Sequence, residues 1–423
     1  MKRGLIAATG VAAMLVSVAA CGASGDGSDV AGSGGKGKTL TVWFMSGSNP
    51  PEWTKKVQAE FEKKTGAKLK VEIQQWNGIQ QKLTTALSEQ NPPDVVEIGN
   101  TQTAAYAKAG ALADLGDLKK EIGADWSESI NMAAIVDDQQ VALPWYVGNR
   151  VVIYNKKIWA DAGIKDTPKT RDEFFSDLDA ISKKTEAEPL YLPGQNWYFF
   201  DGLTIGQGAQ LVKNEGGKWV SNLADSKVAK AAQIYKKYQS FSKAPKDKDE
   251  ATPQQADIFA KGKTGAIIAM GYEAGTAIKA NPQIQDQIGY FTIPGETPGK
   301  PEGVFLGGSN LAVAGGSKKQ ELAKEFLRIA LSKDNDGQMV KEAGWTPKTP
   351  SSASLAKESP AAAAAAPAVA GGGTTPLIPE WAAVENAPNP IKSYLTAVLN
   401  GKSPDGAAKQ IEGEINKRLS QKQ

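Results

Sequence analysis

The alternation of short β-rich runs with amphipathic helical stretches constrains this chain more than any other feature. Thr39–Met45 (TLTVWFM) is a β-rich run, and residues 52–64 place Trp53, Val57 and Phe61 on one helical face. Residues 68–73 alternate as a strand. Ile79, Leu83 and Leu87 mark a second helix, Pro92-Pro93 stops it, and residues 94–98 (DVVEI) form another strand. Strands that give way to helices at this spacing predict βαβ units on a largely parallel sheet, an α/β fold. Further strands are expected at 141–144, 151–154, 265–270, 288–293 and 310–314. Helices are expected after an N-cap at Thr170, over 228–238 and 318–331, and at the end of the chain, where Ile411, Ile415 and Leu419 share a face. The Ala-rich stretch 360–373 (PAAAAAAPAVAGGG) reads equally as a short helix or a mobile loop. The 423 residues leave room for two or three domains, each with its own core.

Two compositional facts remove whole classes of chemistry. The chain has no histidine, which excludes Ser-His-Asp and Cys-His catalysis and His-ligated zinc. It has one cysteine, Cys21, so it cannot form an internal disulfide. Lys+Arg is 49 and Asp+Glu 46. Removing Lys2 and Arg3 with a leader leaves 47 basic residues against 46 acidic ones, with no block of like charge. A nucleic-acid partner is not expected, because such binders carry a basic patch. No cofactor or metal is expected either.

Residues 1–20 read as a secretory signal: a basic start at Lys2 and Arg3, then a short Ala-rich apolar run. Val18-Ala19-Ala20-Cys21 is similar to a bacterial lipobox, in which the cysteine thiol receives diacylglycerol after cleavage. An ordinary signal cut at Ala-x-Ala is the alternative. Lipidation of Cys21 would anchor an exported protein to the outer face of the plasma membrane, since two or more acyl chains hold stably. Residues 21–38, Gly/Ser-rich, then serve as a flexible tether.

Open α/β sheets place ligands at the carboxyl ends of their strands. The segments there hold Asn49, Asn100, Trp145-Tyr146, Asn196-Trp197, Tyr272-Glu273, Ser309-Asn310, Trp345 and Trp381. Amides, hydroxyls and single carboxylates match the hydroxyl edge of a sugar, and indole or phenol rings cover its flat C–H faces. Arg150 is the only cation in these segments, so a neutral polyhydroxylated ligand fits better than an anion. Trp159 reads as core, and Trp126 and Trp219 as surface or edge residues.

Several blocks also resemble a known family. Pro93-Asp94-Val95-Val96, Gly110-Ala111-Leu112-Ala113-Asp114-Leu115, and Leu143-Pro144-Trp145 ahead of Val152-Ile153-Tyr154-Asn155-Lys156 are similar to the family-1 extracellular solute-binding proteins of bacterial ABC importers. Residues 259–266 (FAKGKTGA), 308–313 (GSNLAV) and 323–326 (AKEF) extend the resemblance, which covers about 39–423. Residues 74–79 (QQWNGI) and 97–101 (EIGNT) are similar to actinobacterial binders of N,N′-diacetylchitobiose.

The resemblance implies a two-lobe, periplasmic-binding-protein-like fold with a hinge and a ligand cleft between the lobes. One lobe would hold 39–147 plus 297–336 and the other 148–296 plus 337–423. Asn100, Trp145, Trp197, Tyr272, Glu273, Ser309, Asn310 and Trp345 fall where the family lines its cleft, and the residue matching Trp345 commonly stacks on sugar. Residues 361–373 depart from the pattern, which leaves the placement of Glu380-Trp381 open. The implied function is capture of a sugar, such as diacetylchitobiose, for delivery to the transmembrane subunits of an ABC permease, with the chain acting as a monomer and not as an enzyme. Two alternatives stand beside it: a secreted glycoside hydrolase using two carboxylates such as Glu97 and Glu273, and a binder of a non-sugar solute.

Overall fold

A computed structural model describes residues 35–123 and 125–421. The expected leader, Cys21 and most of the tether lie outside the described residues. The last tether residues join the fold: Lys38 N donates to Gly35 O and Lys68 N to Lys38 O.

Nine strands build two larger sheets: β1 (Thr39–Met45), β2 (Lys68–Gln74), β3 (Val95–Gly99), β4 (Leu143–Gly148), β5 (Arg150–Asn155), β6 (Glu188–Tyr191), β7 (Thr264–Met270), β8 (Ile288–Phe291) and β9 (Gly307–Val313). The first sheet has the order β2-β1-β3-β9-β4. Its β2-β1-β3 part is parallel, and β9 runs antiparallel to both β3 and β4. The second has the order β8-β5-β7-β6, with β5 antiparallel to both neighbours and β6 parallel to β7. β3 and β7 are buried almost throughout, as strands covered on both faces must be, and their sequences VVEIG and TGAIIAM are nearly continuous apolar runs.

Helices cover the sheets as the apolar spacing requires. Trp53, Val57 and Phe61 point from Pro51–Thr65 into the first core, and Gly66 in the left-handed region ends that helix. Thr170 caps Arg171–Lys184 through Glu173 N at 3.2 Å, which buries Phe174, Leu178 and Ile181 in the second core. Each sheet therefore has its own hydrophobic interior, and the molecule has two α/β lobes.

The chain crosses between the lobes at Asn149, where β4 passes into β5, again along 292–306 between β8 and β9, and a third time after Trp345. Core membership departs from the implied boundaries at two places. Val304 and Leu306 pack in the second core, whereas Met339, Ala343 and Trp345 pack in the first. Helix Lys333–Ala343 thus belongs to the first lobe, held there by Trp53 Nε1 donating to Asn335 O at 3.2 Å.

The Ala-rich stretch is a helix, Pro360–Val369, with Ala361, Ala362, Ala364, Ala365 and Ala368 buried. It lies against the first two crossings. Asn149 Nδ2 donates to Ala365 O at 3.2 Å, and Thr292 Oγ1 to Ala364 O at 2.6 Å. Methyl side chains permit this approach: a Cβ built on Gly271 would stand 2.8 Å from Ala361 Cβ.

Candidate ligand-binding cleft

β4 differs from the sequence expectation, and the difference reorganises the cleft. The segment around Trp145 is strand up to Gly148, not a loop after a shorter strand. Strand alternation then sends Trp145 and Tyr146 to opposite faces. Trp145 is buried in the first core, 4.8 Å from Trp53 and 5.4 Å from Phe44 between ring centroids. Tyr146 faces the lobe boundary. Its ring lies 4.3 Å from that of Trp345, which Gly344 presents from a left-handed helix end (φ 66°). Trp345 also meets Trp145 edge-on at 5.5 Å, so three rings form one continuous stack from core to boundary.

Asn100, Tyr146, Ser309 and Asn310 come together on one small cavity of about 10 Å³, with Ile130, Pro144, Val147, Leu306 and Thr374 completing its lining. Gly308 makes this possible. It has φ 151° and sits beside a register shift in the β9–β4 pairing, and a Cβ there would lie 2.1 Å from Tyr146 O. A cavity this small holds about one water. Anything larger enters this cavity only if its walls part.

On the first-lobe wall the carboxylate and the asparagine amides are engaged within the fold, whereas Trp145 Nε1, Trp345 Nε1 and Gln102 Oε1 are buried without a partner. Glu97 on β3 is fully buried and accepts from Met45 N at 2.8 Å, from Ser309 Oγ at 2.6 Å and from Ser48 Oγ. Burial pushes its carboxyl up to about 7 against the pull of these donors. Asn310 Nδ2 donates to Thr103 Oγ1 at 2.9 Å and to Ala133 O at 3.0 Å. Asn100 Nδ2 donates to Leu306 O at 3.1 Å, which ties the wall to the second crossing.

The second-lobe wall is built on helix Trp197–Gly206 and the short helix Trp381–Glu385. Asn196 caps the first of these through Phe199 N, and Trp197 packs 6.3 Å from Trp381 inside the second core. Glu385 accepts from Trp381 Nε1 at 2.7 Å and, across the lobe boundary, from Thr101 Oγ1 at 2.8 Å. Burial raises its carboxyl to about 7. Asp201, one turn beyond Trp197 and Tyr198, is 3% exposed, and its Oδ2 has no partner. Burial, and after it the charge of Glu385, pushes its carboxyl up to about 8. Tyr198 stacks on Phe305 at 4.7 Å.

The remaining expected site residues are placed as follows. Tyr272 faces Gly47 across the boundary: a Cβ on Gly47 would stand 3.6 Å from its ring. Burial holds its hydroxyl well above the usual phenol range. Glu273 is buried and engaged by Gln255 Nε2 and by Met270 N at 3.0 Å. Asn49 serves the turn into helix Pro51–Thr65, bonding Thr54 Oγ1 at 3.0 Å. Sequence reasoning missed Thr101, Asp201 and Glu385. Asp201 carried a signal, as the one carboxylate in the apolar run WYFFDGL; Glu385, four residues beyond Trp381 on one helix, carried a weaker one. Among the described residues no cluster of His, Cys, Asp and Glu could hold a metal ion.

The model of the family described as bacterial extracellular solute-binding protein matches residues 46–337. The chain belongs to that family. As a solute-binding protein it is not an enzyme. The chain is 66% identical over 425 residues, the full length of both chains, to the diacetylchitobiose binding protein DasA of Streptomyces coelicolor. It is 26% identical to the galactooligosaccharide-binding protein of Bacillus subtilis, over 97% of each chain. Its fold is similar to the GacH receptor of Streptomyces glaucescens, with a TM-score of 0.78 at 23% identity over 91% of this chain and 99% of that one. A cyclo/maltodextrin-binding protein complexed with maltotetraose matches with a TM-score of 0.72 at 23% identity, over 93% and 100%.

Proposed function

We propose that this solute-binding protein captures N,N′-diacetylchitobiose between its lobes and presents it to the transmembrane subunits of an ABC permease. The observation that carries this reading is the 66% identity, end to end, with a protein named for binding that sugar. Supporting it, Asn100, Tyr146, Ser309 and Asn310 meet on one cavity, and Thr101 bonds Glu385 of the other lobe. Trp345 and Tyr146 supply a stacking platform, Tyr272 closes from the other lobe, and Asn196, Trp197 and Trp381 hold the second wall in place. Trp145 supports the platform from behind. Contacts from both lobes favour the closed form, because a ligand shifts this balance only by its differential affinity for the two states.

The family is extracytoplasmic. We infer a lipid anchor at Cys21, a tether to about residue 38, and a monomeric binder. The lobes divide near Asn149, within 292–306 and beyond Trp345. Titration calorimetry with diacetylchitobiose and with maltose tests the sugar. Saturable heat with the first and none with the second is expected, and no heat with diacetylchitobiose overturns the reading. Cys21→Ser should move the protein from the membrane fraction to the medium; retention at the membrane contradicts the anchor.

A further inference from the structure

The chain enters its first lobe at the end away from the cleft. β1 starts at Thr39 and β2 at Lys68, and the two run in parallel toward the cleft, where Met45 N meets Glu97. The seven residues of β1 put some 20 Å between these two ends. The incoming segment is fixed at its root. Gly35 packs against the end of helix Pro51–Thr65, since a Cβ built on it would stand 2.5 Å from Thr65 O, and Lys38 O accepts from Lys68 N at 2.9 Å.

This root is cationic. Lys36, Lys38, Lys63 and Lys68 are exposed and have no ion pair among the described residues. Exposed Lys318 adjoins Lys319, whose Nζ donates to Thr39 O at 2.7 Å. The neighbouring charges cancel in pairs: Lys64 with Glu325, Lys70 with Glu72, and Lys319 with Asp94. Against the five remaining cations the fold sets Glu62, which accepts from Leu69 N and Gln58 Nε2 and lies near Lys68. The tether sequence adds Asp26 and Asp29, and the balance stays positive. Thirteen residues separate Cys21 from Gly35, and such a length reaches at most about 50 Å. An anchor at Cys21 therefore holds the root within that reach of lipid headgroups. The pull of a lysine toward an anionic surface fades within a Debye length, about 10 Å at 0.1 M salt. Such a patch orients a body that is already tethered and does not retain one that has lost its anchor.

We propose that the root of the first lobe is a docking surface for anionic phospholipid headgroups, on which the anchored protein rests with its cleft turned away from the membrane. The proposal rests on the Cys21 anchor inferred above. In this posture the cleft samples the medium, and delivery to the permease begins with release of the root. The test uses the lipidated protein in vesicles of phosphatidylcholine, alone or with about 30% phosphatidylglycerol, whose headgroups carry an energy-transfer acceptor. Cys21 is the only cysteine, so Thr39→Cys at the root and Asn77→Cys beyond β2 each give one exposed site for a donor dye. Transfer from position 39 relative to position 77 should rise about twofold when phosphatidylglycerol is present, and about 0.5 M salt should remove the rise. Replacing Lys36, Lys38, Lys63 and Lys68 together by Gln should remove it as well. Replacing Lys261, Lys263, Lys279 and Lys417 by Gln, all exposed on the second lobe, should leave it in place. A ratio that ignores the anionic lipid, or a rise that survives loss of the root lysines or falls equally with the distant ones, overturns the docking surface while the anchor stands. Protein that fails to float with pure phosphatidylcholine vesicles overturns the anchor itself.

Discussion

On the first-lobe side of the cleft, Glu97 takes three donors and Asn310 gives its amide to two acceptors. On the second-lobe side, among the described residues, Asp201 Oδ2 and Asn196 Nδ2 are buried and have no partner. Buried polar groups are nearly always satisfied, yet each side keeps some unpartnered, Trp145 Nε1 and Trp345 Nε1 on the first; the two sides differ in their carboxylates, Glu97 being fully engaged and Asp201 Oδ2 having no partner. The carboxylate and amides of the first wall fix β1, β3 and β9 to one another. The second wall keeps an unpartnered carboxyl oxygen, and we propose that this oxygen helps to select the ligand.

The strongest way to break this contrast is at the first wall's aromatic stack. Trp345→Ala should destabilise the protein by about 3–5 kcal/mol, as for truncation of a buried Trp, read by denaturant titration. Calorimetry on the folded fraction should also show weaker sugar binding, by about 1–3 kcal/mol, since the ring serves both core and platform. Unchanged stability would mean that the stack is dispensable to the scaffold. Asp201→Ala should do the reverse. It should cost about 2 kcal/mol of diacetylchitobiose affinity and leave the melting temperature unchanged or higher, because it removes an unpartnered buried carboxyl. A lower melting temperature with intact affinity would exchange the roles of the two walls. Ser309→Ala should destabilise by about 1–2 kcal/mol through the donor lost to Glu97, measured by urea titration.

The smallest effect expected is a pH slope. Glu97, Glu273 and Glu385, each raised to about 7, and Asp201, raised to about 8, bind a proton more tightly folded than unfolded. Their contribution to stability is fully present below their ordinary carboxylate values and is lost as pH rises through 7 to 8. No histidine titrates in the same window. Melting temperature should therefore fall by a few degrees, on the order of 1 kcal/mol or more, between about pH 5 and 8. Asp201→Asn should flatten the slope more than Ser309→Ala does.

Much of the fold was legible because period and cap are local properties. Trp53, Val57 and Phe61 sit where their spacing places them, and Thr170 caps the helix it precedes. The sequence also marked Trp159 as core, where its indole donates to Gly265 O at 3.0 Å. The cleft was legible only in part. Trp145 and Tyr146 are neighbours that serve opposite faces, and which of them turns inward depends on β4 reaching Gly148, a length set by its pairing with β9 across more than 150 residues of chain. Thr101 and Glu385 meet across 284 positions, and no local pattern carries such a pairing. The Ala-rich stretch was ambiguous for the same reason: alanine permits a helix, but burial against Asn149 and Thr292 makes this one hold.

That helix has a mechanical consequence. Two of the chain segments joining the halves are fastened to consecutive carbonyls, Ala364 and Ala365, of a single helix. The two fastenings lie within about one residue's rise of each other, some 1.5 Å along the axis. Any displacement of one half against the other would therefore load a single short piece of that helix.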